Sequence, residues 1–358
     1  MKRTSLRLRG LLAAIILLFT FTLTGCADMV EIQERDFVMA MGIAWQEEYQ
    51  FTFALPDLDA VTGQSSGSDQ DRLVRTIHGA TFPEIEETYN RTSKNRLDLR
   101  HLQAIVFDAS VCTNPAKMKE ILEAMNDHYE LSHNVLVFYC LGNTKDLVGM
   151  EGKLDSSIGD YLRKINKNNQ RDGVDKVTIG QLITALENNI TIAIPVIDQS
   201  EASVFLDGSV LFQNNQTVRY LNQPESALYH LMKGEGNGYL FQLSGNTVIK
   251  VTAVRDKLLY ENRTDGPYIK LTLSGTGQVM PKSHGDSPSL AGEFNQLLAS
   301  QIQEAMMPIL LEQHLDFLNL YEKSSYRQRD VWMRYQGETG KFTDELTLEI
   351  VVDFTLES

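Results

Sequence analysis

"FVMAMGIAWQEEYQFTFALPD", Phe37 to Asp57, is the stretch on which the reading of this chain turns. Apolar residues run or alternate through Phe37–Trp45 and again through Tyr49–Asp57, with a short charged turn between. Two strand-type runs around a tight polar break predict a β-hairpin. Leu58–Arg72 is small and polar and predicts a loop. Leu73–Ala80 reads as a strand. Thr81 is then placed to cap a helix that has Pro83 in its first turn and acids behind it. His101–Ala109 is another strand. Asn114 and Pro115 open a helix with Met118, Ile121, Leu122 and Met125 at helical spacing. Asn134–Gly142 is an apolar strand of the buried kind. Strands alternating with helices as far as Ile192–Ser200 predict a mixed α/β region.

A second unit opens at "ASVFLDGSVLFQNNQTVRYLN", where two strands flank Asp207-Gly208, a hairpin-turn dipeptide. Pro224–Gly234 reads as a short helix. Strands follow in "NTVIKVTAVRDKLLYEN" and "YIKLTLSGTGQV". The longest helical pattern comes next, with Leu290, Phe294, Leu297, Ile302, Ala305 and Ile309 along one face, and Pro308 is expected to kink or divide it. Thr347–Glu357 closes the chain as an alternating strand. The fold class expected is α+β: several mixed α/β domains, three by this division, with a long C-terminal helix packed on an antiparallel-rich sheet. The expected boundaries are a removable signal peptide at 1–25, an α/β region at 26–198, a mixed strand and helix region at 199–285, and the long helix with its strand at 286–358.

The N-terminus is of another kind. Lys2, Arg3, Arg7 and Arg9 precede an uncharged run from Gly10 to Thr24. That run is short for a membrane span, which needs ~20 apolar residues, and it suits a secretory signal. Leu23-Thr24-Gly25-Cys26 then places small residues directly before a cysteine, as in a bacterial lipobox. The Cys26 thiol is the nucleophile that would take a diacylglycerol before cleavage, and no other side chain serves. An ordinary signal peptide, or an uncleaved anchor, is the plainer alternative. With cleavage, the mature chain of about 333 residues begins at Cys26 and is held to a membrane by its acyl chains.

The whole chain of 358 residues has a net charge of −14, and losing the four cations of the signal leaves about −18. Such a balance argues against nucleic acid, whose binding needs a basic footprint. It also argues against anionic lipid head-groups as the main contact. Cys112 and Cys140 are the cysteines left after Cys26. They can pair on the exported side of a membrane, or stay as buried thiols, since both lie in or beside apolar runs. No Cys/His spacing suggests zinc.

Candidate chemistry is thin. Gly63–Gly67, "GQSSG", matches a nucleophile elbow in letters, but has no buried strand before it and no helix after it. Gly234–Gly238, "GEGNG", lacks the Lys-Ser/Thr and the strand-to-helix setting of a phosphate cradle. His128 and His133 are five apart, not the four that suits a metal pair on a helix. His78, His101, His230 and His314 are scattered, and Glu86-Glu87 reads as a solvated helix face. No catalytic residue, cofactor or metal site is assigned.

Cys26 followed by Glu31, Ile32, Gly42, Ile43 and a strand ending at Pro56 resembles the Ger(x)C family, the C-subunit lipoproteins of bacterial spore germinant receptors. Further segments agree in order: Asn95–Val111, Met118–Val148, Val177–Ile197, Val204–Gly234, then Asp316 and Trp332. The resemblance runs from Cys26 nearly to Ser358 and rests on many weak motifs in sequence. Ala27, Ala44, Trp45, Leu318 and Asn319 depart from the family pattern, the last two standing where glycines are usual. The resemblance implies three α/β domains and a non-catalytic subunit anchored through Cys26 to the outer face of the spore inner membrane. It also implies A- and B-type membrane subunits as partners, with the germinant held mainly by the B-subunit. A solute-binding lipoprotein of a transporter is the alternative. It would show two similar lobes, against which the strand-rich second half argues.

Overall fold

A computed structural model describes residues 31–56, 73–151, 153–154, 156–169, 176–200, 203–243, 247–263, 266–280 and 287–357. The loop expected at Leu58–Arg72, with its Gly63–Gly67 motif, lies outside the described residues.

Two sheets organise the chain. The first has eight strands: β2 (Ala40–Trp45), β3 (Tyr49–Ala54), β4 (Val74–Gly79), β6 (Ala104–Asp108), β7 (Leu136–Cys140), β8 (Ile192–Gln199), β9 (Val204–Gln213) and β10 (Gln216–Leu221). Their order across the sheet is β10-β9-β8-β7-β6-β2-β3-β4. The centre, β2-β6-β7-β8, is parallel, and antiparallel hairpins flank it on both sides. The expected hairpin is β2–β3, with Trp45 opposite Tyr49. Alternation along β2 decides which helix goes where. Met41 and Ile43 face one core, with helices α1 (Phe82–Thr92), α3 (Pro115–Asn126) and α6 (Ile179–Glu187). Ala40 faces the other, with α4 (Thr144–Val148) and α5 (Ile158–Asn169). Small residues on that second face let α4 come close: a Cβ on Gly42 would stand 3.0 Å from Val148 Cγ2. The short helix α2 (Ala109–Cys112) follows β6 directly and is capped by Asp108.

The caps read from sequence are present. Thr81 accepts from Glu84 N and Asn114 from Lys117 N. Each satisfies an amide that the first helical turn leaves without a partner.

One turn falls elsewhere than expected. Asp207-Gly208 lies inside β9, where two residues oppose one of β8: Pro195 pairs with Ser209 and Ile197 with Leu206. This is a bulge with its glycine left-handed, φ +74°. The hairpin turn is Asn214-Asn215, with φ of 52° and 63°, the two positive values that a two-residue turn between strands requires.

The second sheet has the order β11-β12-β13-β14, from β11 (Leu240–Gln242), β12 (Val248–Arg263), β13 (Gly266–Met280) and β14 (Thr347–Glu357). Strands β11 to β13 pair antiparallel and β14 lies parallel to β13. A parallel return needs a crossover, and the helices between β13 and β14 supply it: α8 (Ser287–Gln301), α9 (Leu320–Arg327), α10 (Arg329–Tyr335) and α11 (Thr339–Glu345). The helix begun by α8 carries on as π-helical turns at Ile302–Met306 and Pro308–Glu312. Pro308 has no amide to donate, so the helix widens around it. Phe294, Leu298, Ile302, Met306, Ile309 and Leu310 are its buried line. The long C-terminal helix on an antiparallel-rich sheet is thus present.

Strands of the 199–285 stretch divide between the sheets: β9 and β10 join the first, and β11 to β13 build the second. Helix α7 (Gln223–Met232) lies at their junction. The second core takes in Ala193 and Leu211 of the first sheet together with Leu228 and Leu231 of α7.

A separate parallel ribbon pairs β1 (Arg35–Phe37) with β5 (Arg96–Asp98). Asp98 is fully buried and is held by Arg35 at 3.1 Å and by Arg100. The Arg100 hydrogen bonds draw its carboxyl down to about 2, against the burial that pushes it up.

Two outcomes are expected. Gly208→Ala places a Cβ 2.2 Å from the Leu221 carbonyl at a left-handed position. It lowers the free energy of urea unfolding by about 2–4 kcal/mol. Asp98, whose folded pKa is depressed, contributes stability that is full above the ordinary carboxylate range and is lost as pH falls from about 4 towards 2. Stability measured by urea unfolding across that range falls more steeply in the native chain than in Asp98→Asn.

Candidate functional site

The lipid-attachment residue expected from sequence, Cys26, lies outside the described residues; the candidate site is a cleft between the helices that follow the long C-terminal helix and one end of the first sheet. Its root is Leu315–Leu320, which joins the long helix to α9. Asp316 is buried, and its carboxylate accepts from Leu320 N at 2.8 Å and Tyr321 N at 2.7 Å. It therefore caps α9 from four residues ahead. Burial pushes the Asp316 carboxyl above the usual range, and those amides oppose the shift. Burial lowers the nearby Lys323 ammonium, against the pull of Asp256 and Asp316.

Asn319 stands in the left-handed region, φ +55°. That conformation favours glycine and tolerates asparagine, which accounts for a non-glycine at this place. Its carboxamide does what glycine cannot. Oδ1 accepts from Thr191 N at 2.9 Å, and Nδ2 donates to Thr191 O at 3.1 Å. One side chain thus takes both backbone groups of a residue at the start of β8 and ties the helices of the second sheet to the first.

The cleft beside this clamp has a volume of about 550 Å³. Asp316, Asn319, Tyr321 and Trp332 line it from one side, and Asn188, Asn189 and Gln213 from the other. Trp332 stacks on Tyr321 with ring centroids 6.3 Å apart. The Tyr321 hydroxyl accepts from Gly337 N at 2.6 Å and so fixes the end of α10. The Trp332 indole nitrogen is sheltered and has no partner among the described residues. Glu322 and Arg329 stand exposed on the rim. The arrangement offers carboxamides, the buried Asp316 carboxyl, Glu322 and Arg329 on the rim and an aromatic wall, which suit hydrogen bonding and contact.

The other sequence candidates are placed apart. His128 Nε2 meets Glu86 Oε1 at 2.8 Å, and this hydrogen bond raises the histidine pKa. His133 packs against Gly180 in another part of the fold. Among the described residues no three His, Cys, Asp or Glu side chains group as a metal site. Gly234, Gly236 and Gly238 all have positive φ, as a tight loop after α7 requires. Cys112 and Cys140 are separate buried thiols, pushed up by burial. No helix among the described residues is long and apolar enough to cross a membrane. Sequence reading singled out Asp316 and Trp332, and the structure brings them together. It missed the clamp, because nothing in either segment marks a contact 128 residues apart.

Fold and cleft define an α+β protein of two joined sheets, with a cleft beside the joint. The family follows from two adjoining matches. Residues 28–199 match the spore germination protein N-terminal domain, and residues 207–358 match the spore germination B3/GerAC-like C-terminal domain. The chain belongs to this Ger(x)C family of spore germination proteins. A solved structure, described as the crystal structure of the GerBC protein, shares the fold with a TM-score of 0.61 at 14% identity. The match covers 92% of this chain and 100% of that one. No curated protein gives a significant sequence match.

The clamp has a direct test. Asn319→Gly keeps the left-handed backbone, loses both hydrogen bonds and lowers stability to urea by about 1–3 kcal/mol. Asn319→Ala costs a further ~1 kcal/mol through its backbone. Equal stability of all three chains would remove the clamp from the account of the joint.

Proposed function

We propose that this chain is the lipid-anchored C-type subunit of a spore germinant receptor. It is held through a diacylglycerol on Cys26 to the outer face of the spore inner membrane, beside A- and B-type membrane subunits. It takes no catalytic part and helps to pass nutrient binding on to germination, as a shift in the populations of the complex. The observation that carries this reading is the run of two family segments, in order, starting directly behind the lipobox cysteine.

The test is nutrient-triggered release of dipicolinic acid from spores lacking the chain, with Cys26→Ala spores alongside. Loss of the response to one nutrient, with dodecylamine germination intact, is the expected result. Cys26→Ala is expected to leave the membrane fraction and to lose part of the response. A Cys26→Ala chain that stayed membrane-bound and fully active would overturn the anchor. A normal response to every nutrient in the deletion spores would overturn the receptor role.

A further inference from the structure

The second sheet has one face covered and one face open. Side chains alternate between the two faces of a sheet. Leu258 pairs with Leu271 and Leu271 with Ile350, and this row packs into the core with the helices. The neighbouring rows point the other way. There Arg255, Lys257 and Leu259 of β12 are exposed, and so are Asp353, Thr355 and Glu357 of β14. Thr272, Ser274 and Thr276 of β13 lie half-buried between them. One open face is ordinary for an antiparallel sheet. The order of charge across this one is not.

Strand register sorts the charges. Arg255 pairs with Ser274 and Ser274 with Asp353, while Lys250 pairs with Gln278 and Gln278 with Glu357. Both rows run cation, neutral, acid. Lys257, Thr272 and Val351 form the row beside them and add a third cation on β12. The other charges of the face cancel within it: Lys270 meets Glu349 at 2.7 Å and Arg263 meets Glu261 at 3.0 Å. Lys250, Arg255 and Lys257 on one side, and Asp353 and Glu357 on the other, make no ion pair with a described residue. The two lines of charge stand about 10 Å apart, which is two strand spacings.

A surface divided in this way is complementary to itself. A two-fold axis that runs along β13 in the plane of contact exchanges left with right. The β12 cations of one copy then stand over the β14 acids of the other, and the reverse. An axis across the strands would set cation on cation. With the axis at Ser274, Arg255 of each copy opposes Asp353 of the other, and Lys250 lies towards Glu357. Aligned sheets pack about 10 Å apart, within reach of these long side chains. Apolar contact is available at the ends of the face. Leu240, beside Lys250 on β11, is 63% exposed, and Leu259 and Met280 are exposed as well. The 15 residues of β13 run about 50 Å, and four strands are about 14 Å across. That footprint of roughly 700 Å² is close to the ~800 Å² that each partner gives to a standard interface.

We propose that the open face of β11–β14 docks on the same face of a second copy of this chain, about a two-fold axis along β13. The contact is independent of the lipid on Cys26 and of the receptor role.

The test uses the full mature chain with Cys26→Ala, so that no lipid drives association. Sedimentation across a dilution series is expected to show a monomer–dimer equilibrium that weakens as salt rises. Arg255→Asp removes two symmetry-related pairs and is expected to weaken the dimer by about tenfold. Arg255→Asp/Asp353→Arg exchanges the two charges and is expected to restore it. Cys112 and Cys140 are buried, so added cysteines report on the surface. Ser274→Cys, at the axis, is expected to give a crosslinked dimer with a short bismaleimide, and Lys94→Cys, exposed before β5, is not. This arm keeps the test decisive if Arg255→Asp does not fold. A chain that stays monomeric at every concentration, with no crosslink through Ser274→Cys, would overturn the docking face. So would a dimer that Arg255→Asp leaves unchanged and Ser274→Cys does not crosslink, since its contact would lie elsewhere. A charge exchange that failed to restore the weakened dimer would overturn the two-fold arrangement. None of these measurements reads germination, so the receptor role stands or falls separately.

Discussion

The pairing of β8 with β9 is the constraint on which the rest of the chain depends. Residues 28–199 and 207–358 match separate family segments, yet the strands on either side of that division are hydrogen-bonded neighbours in one sheet. Neither segment completes the sheet alone: the first ends on β8 with an unpaired edge, and the second supplies β9 and β10 to cover it. An open edge beside apolar residues invites wrong pairing. The division in sequence is therefore not a division in the hydrogen bonding. The bulge at Asp207-Gly208 belongs to the same place. It lets β9 take its register against β8 while bringing Gly208 under the Leu221 carbonyl, an approach that only a residue without a Cβ permits.

That junction is reinforced three times, each by a different interaction. Leu211 and Ala193 of the first sheet enter the core of the second. Ser209 and Ser226 exchange a buried hydrogen bond at 3.0 Å between β9 and α7. Asn319 clamps the backbone of Thr191. Apolar burial supplies most of the free energy of such a joint, but it has no direction. The carboxamide clamp adds direction, because both of its hydrogen bonds are satisfied in one relative placement of helix and strand. A joint of this construction holds the two sheets in one relative placement, and it leaves the cleft open beside it.

Charge inside the ribbon of β1 and β5 is matched locally. The Asp36 carboxylate takes hydrogen bonds from Tyr89, Ser93 and Asn95. The one strongly acidic group inside the ribbon, Asp98, is matched by two guanidinium groups.

Much of the fold was legible in the sequence by itself. Local signals have local causes: Thr81 and Asn114 cap their helices because a side-chain oxygen reaches an amide within three residues, and "AMGIAW" alternates because one face of β2 must admit α4. Pro308 marks its helix because a proline lacks an amide wherever it stands. The turn was misplaced for a reason of the same scale. Asp-Gly and Asn-Asn both tolerate positive φ, and only the pairing partners of β9 decide which becomes a turn and which a bulge. What the tertiary structure alone decided were the contacts between distant segments: the sharing of one sheet by both halves, the clamp between Asn319 and Thr191, and the alignment of β1 with β5. Sequence records which residues can make such contacts. Only the closed fold, which brings them within hydrogen-bonding distance at little further cost in entropy, determines which of them do.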